Sequence, residues 1–301
     1  MQWSDIVTKF LAYLLTEKRV SENTFIAYRQ DLKQFQYFCT KYALEIENIK
    51  RSNLQDFLAF LKEKGLSAKS IARKIASLKG IFSYMQAQYG VEDYAQEISI
   101  PKMKKSLPNC LSLEELEQLF QAAESDRSLM GKRNKIMLYL MYVTGMRVSE
   151  LILLKLVHIH RDTAMIAIEG KRGRQRMIPL PDRMMQELGT YIDQTRSALL
   201  SQYQGTSDYL FPVIYGKKIK ALTRQAFWFI VKQLWRKAGI QRPVSPHVLR
   251  HSFATHMLNK GINLRSLQML LGHEQLATVQ IYTHVDTNHL RKIYDKKHPR
   301  S

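Results

Sequence analysis

The sequence predicts a mainly α-helical protein with a small antiparallel β-sheet, built as two domains. Three observations lead there. Apolar residues through the first hundred positions recur at helical spacing, with no alternating strand pattern between them. A proline-bearing, lysine-rich stretch then breaks every period at 98–110. Beyond it, one pair of short apolar runs flanks a glycine-containing turn among further helical segments.

The chain has 301 residues, 45% of them hydrophobic, which is enough for two domains with buried cores. Its 46 Lys and Arg against 26 Asp and Glu leave a net charge of +20. An excess of that size suits a polyanionic partner, and nucleic acid comes first because neutralising phosphates releases counterions. An anionic membrane surface is the other class. Apolar runs such as Ile136–Val143 are too short to span a bilayer. Asp5, Lys9, Glu17, Lys18 and Arg19 interrupt the first twenty residues, unlike a signal peptide. The two cysteines, Cys39 and Cys110, indicate neither a disulfide framework nor a thiolate metal site. The cytoplasm is the expected compartment.

Ile6, Phe10, Leu11 and Leu14 mark a first helix. Ser21-Glu22-Asn23-Thr24 is a capping cluster, after which Phe25, Tyr28, Leu32, Phe35 and Phe38 give a second helix one apolar face. Tyr28 and Phe35 are expected in the core. Asn53–Leu61 and Ser67–Tyr84 supply two more helices. Arg29, Lys33, Lys69, Arg73, Lys74 and Lys79 are expected at exposed positions, with Thr24, Tyr28 and Arg29 within reach of phosphates or base edges. Such a row suits a solvated face as well as a DNA face; the charge of the whole chain favours DNA. Ile98–Cys110, with Pro101, Pro108 and three lysines, is expected as an exposed linker.

In the second domain Ser112 caps a helix whose Glu114 and Glu115 suit its positive end. Lys132–Val143 is a strongly apolar helix that stops at Thr144-Gly145, where glycine permits a left-handed turn. Arg147 follows, and Glu150 in the next helix is placed to anchor its guanidinium or cap the helix. Met165–Ile168 and Met177–Leu180 form a β-hairpin whose basic tip runs from Gly170 to Arg176, with Lys171 at the strand end. Arg183–Leu200, Arg224–Ala238 and the segment after Pro246 are further helices.

Chemistry concentrates between Ser245 and His284. Ser245-Pro246 caps a helix and places His247 in its first turn, where free N–H groups attract anions. Arg250 lies three residues on, on the same face, and its guanidinium can fork two bonds onto phosphate oxygens. Asn263 and Gly272 bracket another helix, His273 follows it, and Thr278 caps a short helix carrying Tyr282. Phosphodiester chemistry needs positive donors for the transition-state charge, a group to protonate the leaving oxygen, a base and a nucleophile. These residue types supply all four without metal. His247, His251 and His256 are the alternative metal ligands, but basic residues crowd the stretch and no H-E-x-x-H pattern is present. No cofactor is expected.

In chain order, Thr144-Gly145-Met146-Arg147-Val148-Ser149-Glu150-Leu151, Gly170-Lys171, His247-x-x-Arg250-His251 with Ser252-Phe253-Ala254-Thr255-His256, Leu271-Gly272-His273 and Ile281-Tyr282-Thr283-His284 resemble the signature of the tyrosine recombinase (phage integrase) family. Ser21–Thr24 with Ala27-Tyr28-Arg29-x-Asp31-Leu32 resembles that family's core-binding domain. The resemblance implies an N-terminal helical-bundle, DNA-gripping domain over 1–97, a linker over 98–110 and a mixed α/β catalytic domain over 111–301 with a C-terminal docking tail. It implies that Tyr282 attacks the scissile phosphate, Arg147 and Arg250 clamp its nonbridging oxygens and Lys171 protonates the leaving 5′ oxygen. His247 then assists proton transfer and His273 hydrogen-bonds the phosphate. The implied partners are double-stranded DNA with a specific recombination site, a homologous recombinase in a heterotetramer and a DNA translocase of the division machinery. The ending His298-Pro299-Arg300 resembles the family's bacterial members that resolve chromosome dimers. A phage- or plasmid-type integrase or resolvase, a type IB topoisomerase and a noncatalytic DNA-binding protein are the other readings.

Overall fold

The computed structural model describes residues 2–99, 110–170, 175–202, 204–216 and 218–272. The chain divides into two compact units, Met1–Ser106 and Leu107–Ser301. Among the described residues, no helix is long and apolar enough to cross a membrane.

The first unit is all helical: α1 (Trp3–Thr16), α2 (Glu22–Lys41), α3 (Arg51–Glu63) and α4 (Ala68–Tyr89). Ser21 and Ser67 start α2 and α4 by accepting the backbone N–H three residues on, which satisfies a donor the helix cannot. The apolar faces meet in a core of Phe10, Phe35, Phe57 and Phe82. The Phe35 and Phe57 rings stand edge to face at 5.0 Å, the favoured aromatic geometry. Tyr28 is only half-buried against this core, because its ring lies at the rim beside Phe10 and Gly80. Ile98, expected in an exposed linker, also belongs to this core, tied by its N–H to the Ala95 carbonyl.

Lys74 is not an exposed residue. It is buried against Asp31 at 2.7 Å, and the same carboxylate takes Arg73 at 2.9 Å and the Ser77 hydroxyl at 3.0 Å. The buried Asp31 carboxylate of α2 draws the lysine inward, whereas Arg73 keeps nearly half its side chain in solvent.

The second unit runs α5 (Leu113–Glu124), α6 (Leu129–Thr144), α7 (Val148–Ile152), strands β1 (Ile159–His160), β2 (Met165–Glu169) and β3 (Gln175–Pro179), then α8 (Asp182–Thr190) and α9 (Ser197–Ser201). A hairpin of β4 (Pro212–Tyr215) and β5 (Lys218–Ala221) leads to α10 (Arg224–Lys237), α11 (Pro246–Asn259) and α12 (Leu264–Leu271). Ser112 and Glu115 cap the start of α5 reciprocally, and Glu115 also pairs with Arg242. From Ile136 to Thr144 every residue of α6 is buried, as a helix apolar all round must be, so α6 is the axis of this core. It ends at Gly145, whose φ of +59° only glycine adopts without strain. A Cβ there would lie 2.3 Å from the Phe253 ring, so the turn is closed against α11 as well.

The sheet order is β1-β2-β3, all antiparallel, with Ile166 opposite Ile178 and Glu169 opposite Gln175. Hairpin β4–β5 was not among the expected elements; its strands are only four residues each, β4 a short apolar run and β5 an alternation of lysines with Ile219 and Ala221. The helix expected over 183–200 is interrupted by a π-helical turn, Tyr191–Arg196. Both ends of that turn are buried on the chain that follows: Tyr191 donates to the Leu210 carbonyl and Arg196 to that of Tyr209. The extra residue per turn brings them to the same side.

Asp31→Asn should cost the first unit about 3–5 kcal/mol, because it removes one partner of a buried ion pair and leaves Lys74 without its counter-ion. Adding Lys74→Met should recover most of that loss. Urea denaturation followed by helical circular dichroism reads both; a single variant as stable as the wild type would mean that the buried pair does not hold α2 to α4.

Candidate active site

Arg147 sits at the junction the sequence marks. Gly145 turns the chain out of α6, Met146 is fully buried as a plug, and Arg147 in extended conformation becomes the N-cap of α7. Glu150, three residues on, accepts the Arg147 backbone N–H at 2.6 Å and its guanidinium at 3.0 Å. Glu150 is therefore both of the things its position suggested, cap and anchor. Its carboxylate is 6% exposed, while the Arg147 side chain remains 44% exposed, so the guanidinium is oriented without being used up.

Arg250 comes from α11. Ser245 caps that helix by accepting the Val248 N–H, Pro246 occupies its first turn, and His247 is exposed there. One turn further, the Arg250 guanidinium donates to the Gly145 carbonyl and, at 2.8 Å, to the Leu271 carbonyl. Those oxygens close the C-terminal ends of α6 and α12, where the helix dipole is negative. Arg147 donates weakly, at 3.5 Å, to the next carbonyl, that of Gly272. The two arginines thus converge on adjacent carbonyls. Burial pushes the Arg250 guanidinium down, the Arg147 charge adds to this and Glu150 opposes it, leaving it at about 10. It still carries its proton at neutral pH, so two positive forks stand together where an anion can bind both.

Arg176 completes the cluster. It belongs not to a hairpin tip but to β3, facing inward, where its fork takes both Glu150 oxygens at 3.0 and 2.8 Å. Its Nε donates to the Leu270 carbonyl at 3.0 Å. Burial raises the Glu150 carboxyl, but the Arg176 hydrogen bonds and charge, with the Arg147 bonds, outweigh it and hold the group below the usual carboxylate range.

Of the expected site residues, the structure brings Arg147 and Arg250 together and places His247 one turn from Arg250 on the same helix. Lys171, His273 and Tyr282, with the tail after His284, lie outside the described residues. His251 is exposed, and His256 is buried as a structural tie, its Nδ1 at 3.0 Å from the Tyr142 hydroxyl and its Nε2 at 2.9 Å from the Leu111 carbonyl. Among the described residues no group of His, Cys, Asp and Glu is arranged to hold a metal ion. Sequence reasoning gave Glu150 a supporting part and missed Arg176. The available signal was strand parity: Arg176 stands two residues before the buried Ile178 and so shares its inward face.

The Phage integrase family matches residues 109–289, and the Phage integrase N-terminal SAM-like domain matches residues 7–88. The chain is 38% identical over 298 residues to tyrosine recombinase XerD of Staphylococcus haemolyticus, covering 98% of this chain and 99% of that protein. It is equally similar, at 38% over the same length, to XerD of Staphylococcus aureus. Among solved structures, the XerH site-specific recombinase bound to palindromic difH substrate in a post-cleavage complex matches with a TM-score of 0.69 at 27% identity, over 89% of this chain and 78% of that one. Its pre-cleavage complex with difH has the same fold, with a TM-score of 0.70 at 24% identity over 96% of this chain and 94% of that one.

Because Glu150 is held below its usual value of 4.5, its contribution to stability is complete above that pH and is lost as pH falls through the lower folded value. Glu150→Gln should therefore be clearly less stable than wild type near neutrality, with the gap closing on acidification below the usual carboxylate range. Urea midpoints across that range would show it; a constant gap would mean that the carboxylate's charge is not what holds the arginines.

Proposed function

We propose that this chain, which belongs to the phage integrase family and is a site-specific tyrosine recombinase that breaks and rejoins DNA, resolves chromosome dimers at a dif-like site during chromosome segregation. The observation that carries the reading is the convergence of Arg147 and Arg250, from distant parts of the chain, on the Leu271 and Gly272 carbonyls immediately before His273. In support of the chromosomal role stand the likeness to XerD over nearly the whole chain and the difH substrate bound in the XerH complexes.

In this reading Tyr282 attacks the scissile phosphate, forming a 3′-phosphotyrosyl bond and releasing a 5′ hydroxyl. Arg147 and Arg250 clamp the nonbridging oxygens and stabilise the charge that builds on them. Lys171 donates the proton to the leaving 5′ oxygen, His247 assists proton transfer and His273 hydrogen-bonds the phosphate. The 5′ hydroxyl of the partner strand then attacks the phosphotyrosine, so one phosphoester replaces another and strand exchange needs no ATP. Residues 1–97 grip the DNA through their basic surface, 98–110 link, and 111–301 carry the chemistry. The partner is a XerC-like recombinase in a heterotetramer, with a DNA translocase of the division machinery as activator. Leu290, Ile293 and Tyr294 supply the apolar face by which the tail docks on a neighbouring protomer.

A nicked suicide duplex carrying a dif-like site, incubated with the full-length protein and its XerC-like partner, should trap a covalent adduct with the wild type. Tyr282→Phe should trap none while binding the duplex as tightly. An adduct that persists in Tyr282→Phe would contradict the nucleophile. Adducts recovered from cells that scatter over the chromosome, rather than gathering at one site opposite the origin, would contradict the chromosomal role.

A further inference from the structure

An arginine on the inward face of a strand is costly unless every donor is met. Arg176 is only 7% exposed, and its Nε, Nη1 and Nη2 all have partners. Those partners lie on two other elements, the α7 carboxylate of Glu150 and the last turn of α12. The turn is shared in sequence order: Arg176 takes the carbonyl of Leu270, Arg250 that of Leu271, and Arg147 that of Gly272. Gly272 itself is packed onto the Arg176 guanidinium, since a Cβ there would lie 3.0 Å from its Nη1. With both oxygens fixed by Arg176, Glu150 can take the Arg147 N–H and one side of its guanidinium without closing over it. Freed from Arg176, each oxygen would keep only its Arg147 partner, the backbone N–H on one and Nη1 on the other, and the carboxylate's whole charge would fall to Arg147.

We propose that Arg176 is a positioning residue for the cleavage step: it fixes Glu150 to the end of α12, so that Arg147 is presented beside Arg250 instead of being neutralised by Glu150. This rests on the reading that Arg147 and Arg250 clamp the scissile phosphate. The role needs a planar fork with a third donor at Nε, and lysine, a point charge, cannot fill it.

The test is single-turnover cleavage of the nicked duplex by the full-length protein, with DNA affinity measured in parallel. Arg176→Met should slow cleavage by about 10²-fold, the scale of a misplaced catalytic group, with duplex affinity unchanged. Arg176→Lys should not restore the rate. Arg176→Met combined with Glu150→Gln should be no slower than the worse single variant, because both act through one carboxylate. Thermal melting checks folding, and Arg176→Gln, which keeps a donor for Leu270, stands in if the methionine variant does not fold. Cleavage at the wild-type rate, full rescue by lysine, or losses that multiply in the double variant would overturn the proposal. Arg147→Ala in the same assay separates the two levels. If it cleaves normally, the phosphate-clamp reading falls and takes this one with it. If it is inactive while Arg176→Met is normal, only the positioning role falls.

Discussion

The last turn of α12 is where the second unit's charges are settled. Three consecutive carbonyls, those of Leu270, Leu271 and Gly272, receive three arginines from β3, α11 and the α7 junction. A helix's final carbonyls have no intrahelical partner and carry its negative dipole end, so they suit cations that must be held yet stay charged. Three guanidinium groups would still repel one another. Glu150, buried among them, bonds two directly and offsets the depression of the third. The arrangement leaves a local excess of positive charge that is ordered before any phosphate arrives. Such preorganisation lowers a barrier, because no donor has to reorient as charge develops.

The rest of the unit serves that geometry. α6 is buried on every side from Ile136 to Thr144, so its C-terminal end is a fixed point, and Gly145 there supplies both a carbonyl for Arg250 and the turn that delivers Arg147. Phe253 closes over Gly145, and Arg176 closes over Gly272. Each helix end thus ends on a glycine that has two reasons to be one: a left-handed backbone and a neighbour where a side chain would sit. The His256 tie from α11 to Tyr142 of α6 and to Leu111 fixes the helix that carries His247 and Arg250.

Much of this was legible. Ser112, Ser245-Pro246, Asn263, Gly145 and Gly272 announce their helix ends because capping is local chemistry, decided within four residues. The β2–β3 hairpin showed because its strands are apolar and its turn is not. What sequence pattern missed is where burial and charge meet. Lys74 and Arg176 look like surface cations in a basic chain, and only the third dimension supplies Asp31 and Glu150 beneath them. The π-helical turn at Tyr191–Arg196 escaped for a similar reason: carbonyls beyond the helix, on Leu210 and Tyr209, determine it. The convergence of Arg147 with Arg250 came from family resemblance, since spacing along the chain carries no information about it.

On the proposed reading, cutting competence divides into a part built into the fold and a part that the nucleophile must complete. The arginine cluster belongs to the first, held by a carboxylate and three carbonyls in the free protein. Nitrogen-15 spectra of the arginine side chains in the full-length protein without DNA test this most directly. Rotation about the Cζ–Nη bonds is slow when both ends of a guanidinium are hydrogen-bonded and fast when they are not. Resolved, slowly exchanging Nη signals from Arg176 and Arg250, with those of Arg176 collapsing to averaged ones in Glu150→Gln, are what a preassembled cluster predicts. Averaged signals from every arginine of the free wild-type protein, sharpening only when DNA is added, would contradict it.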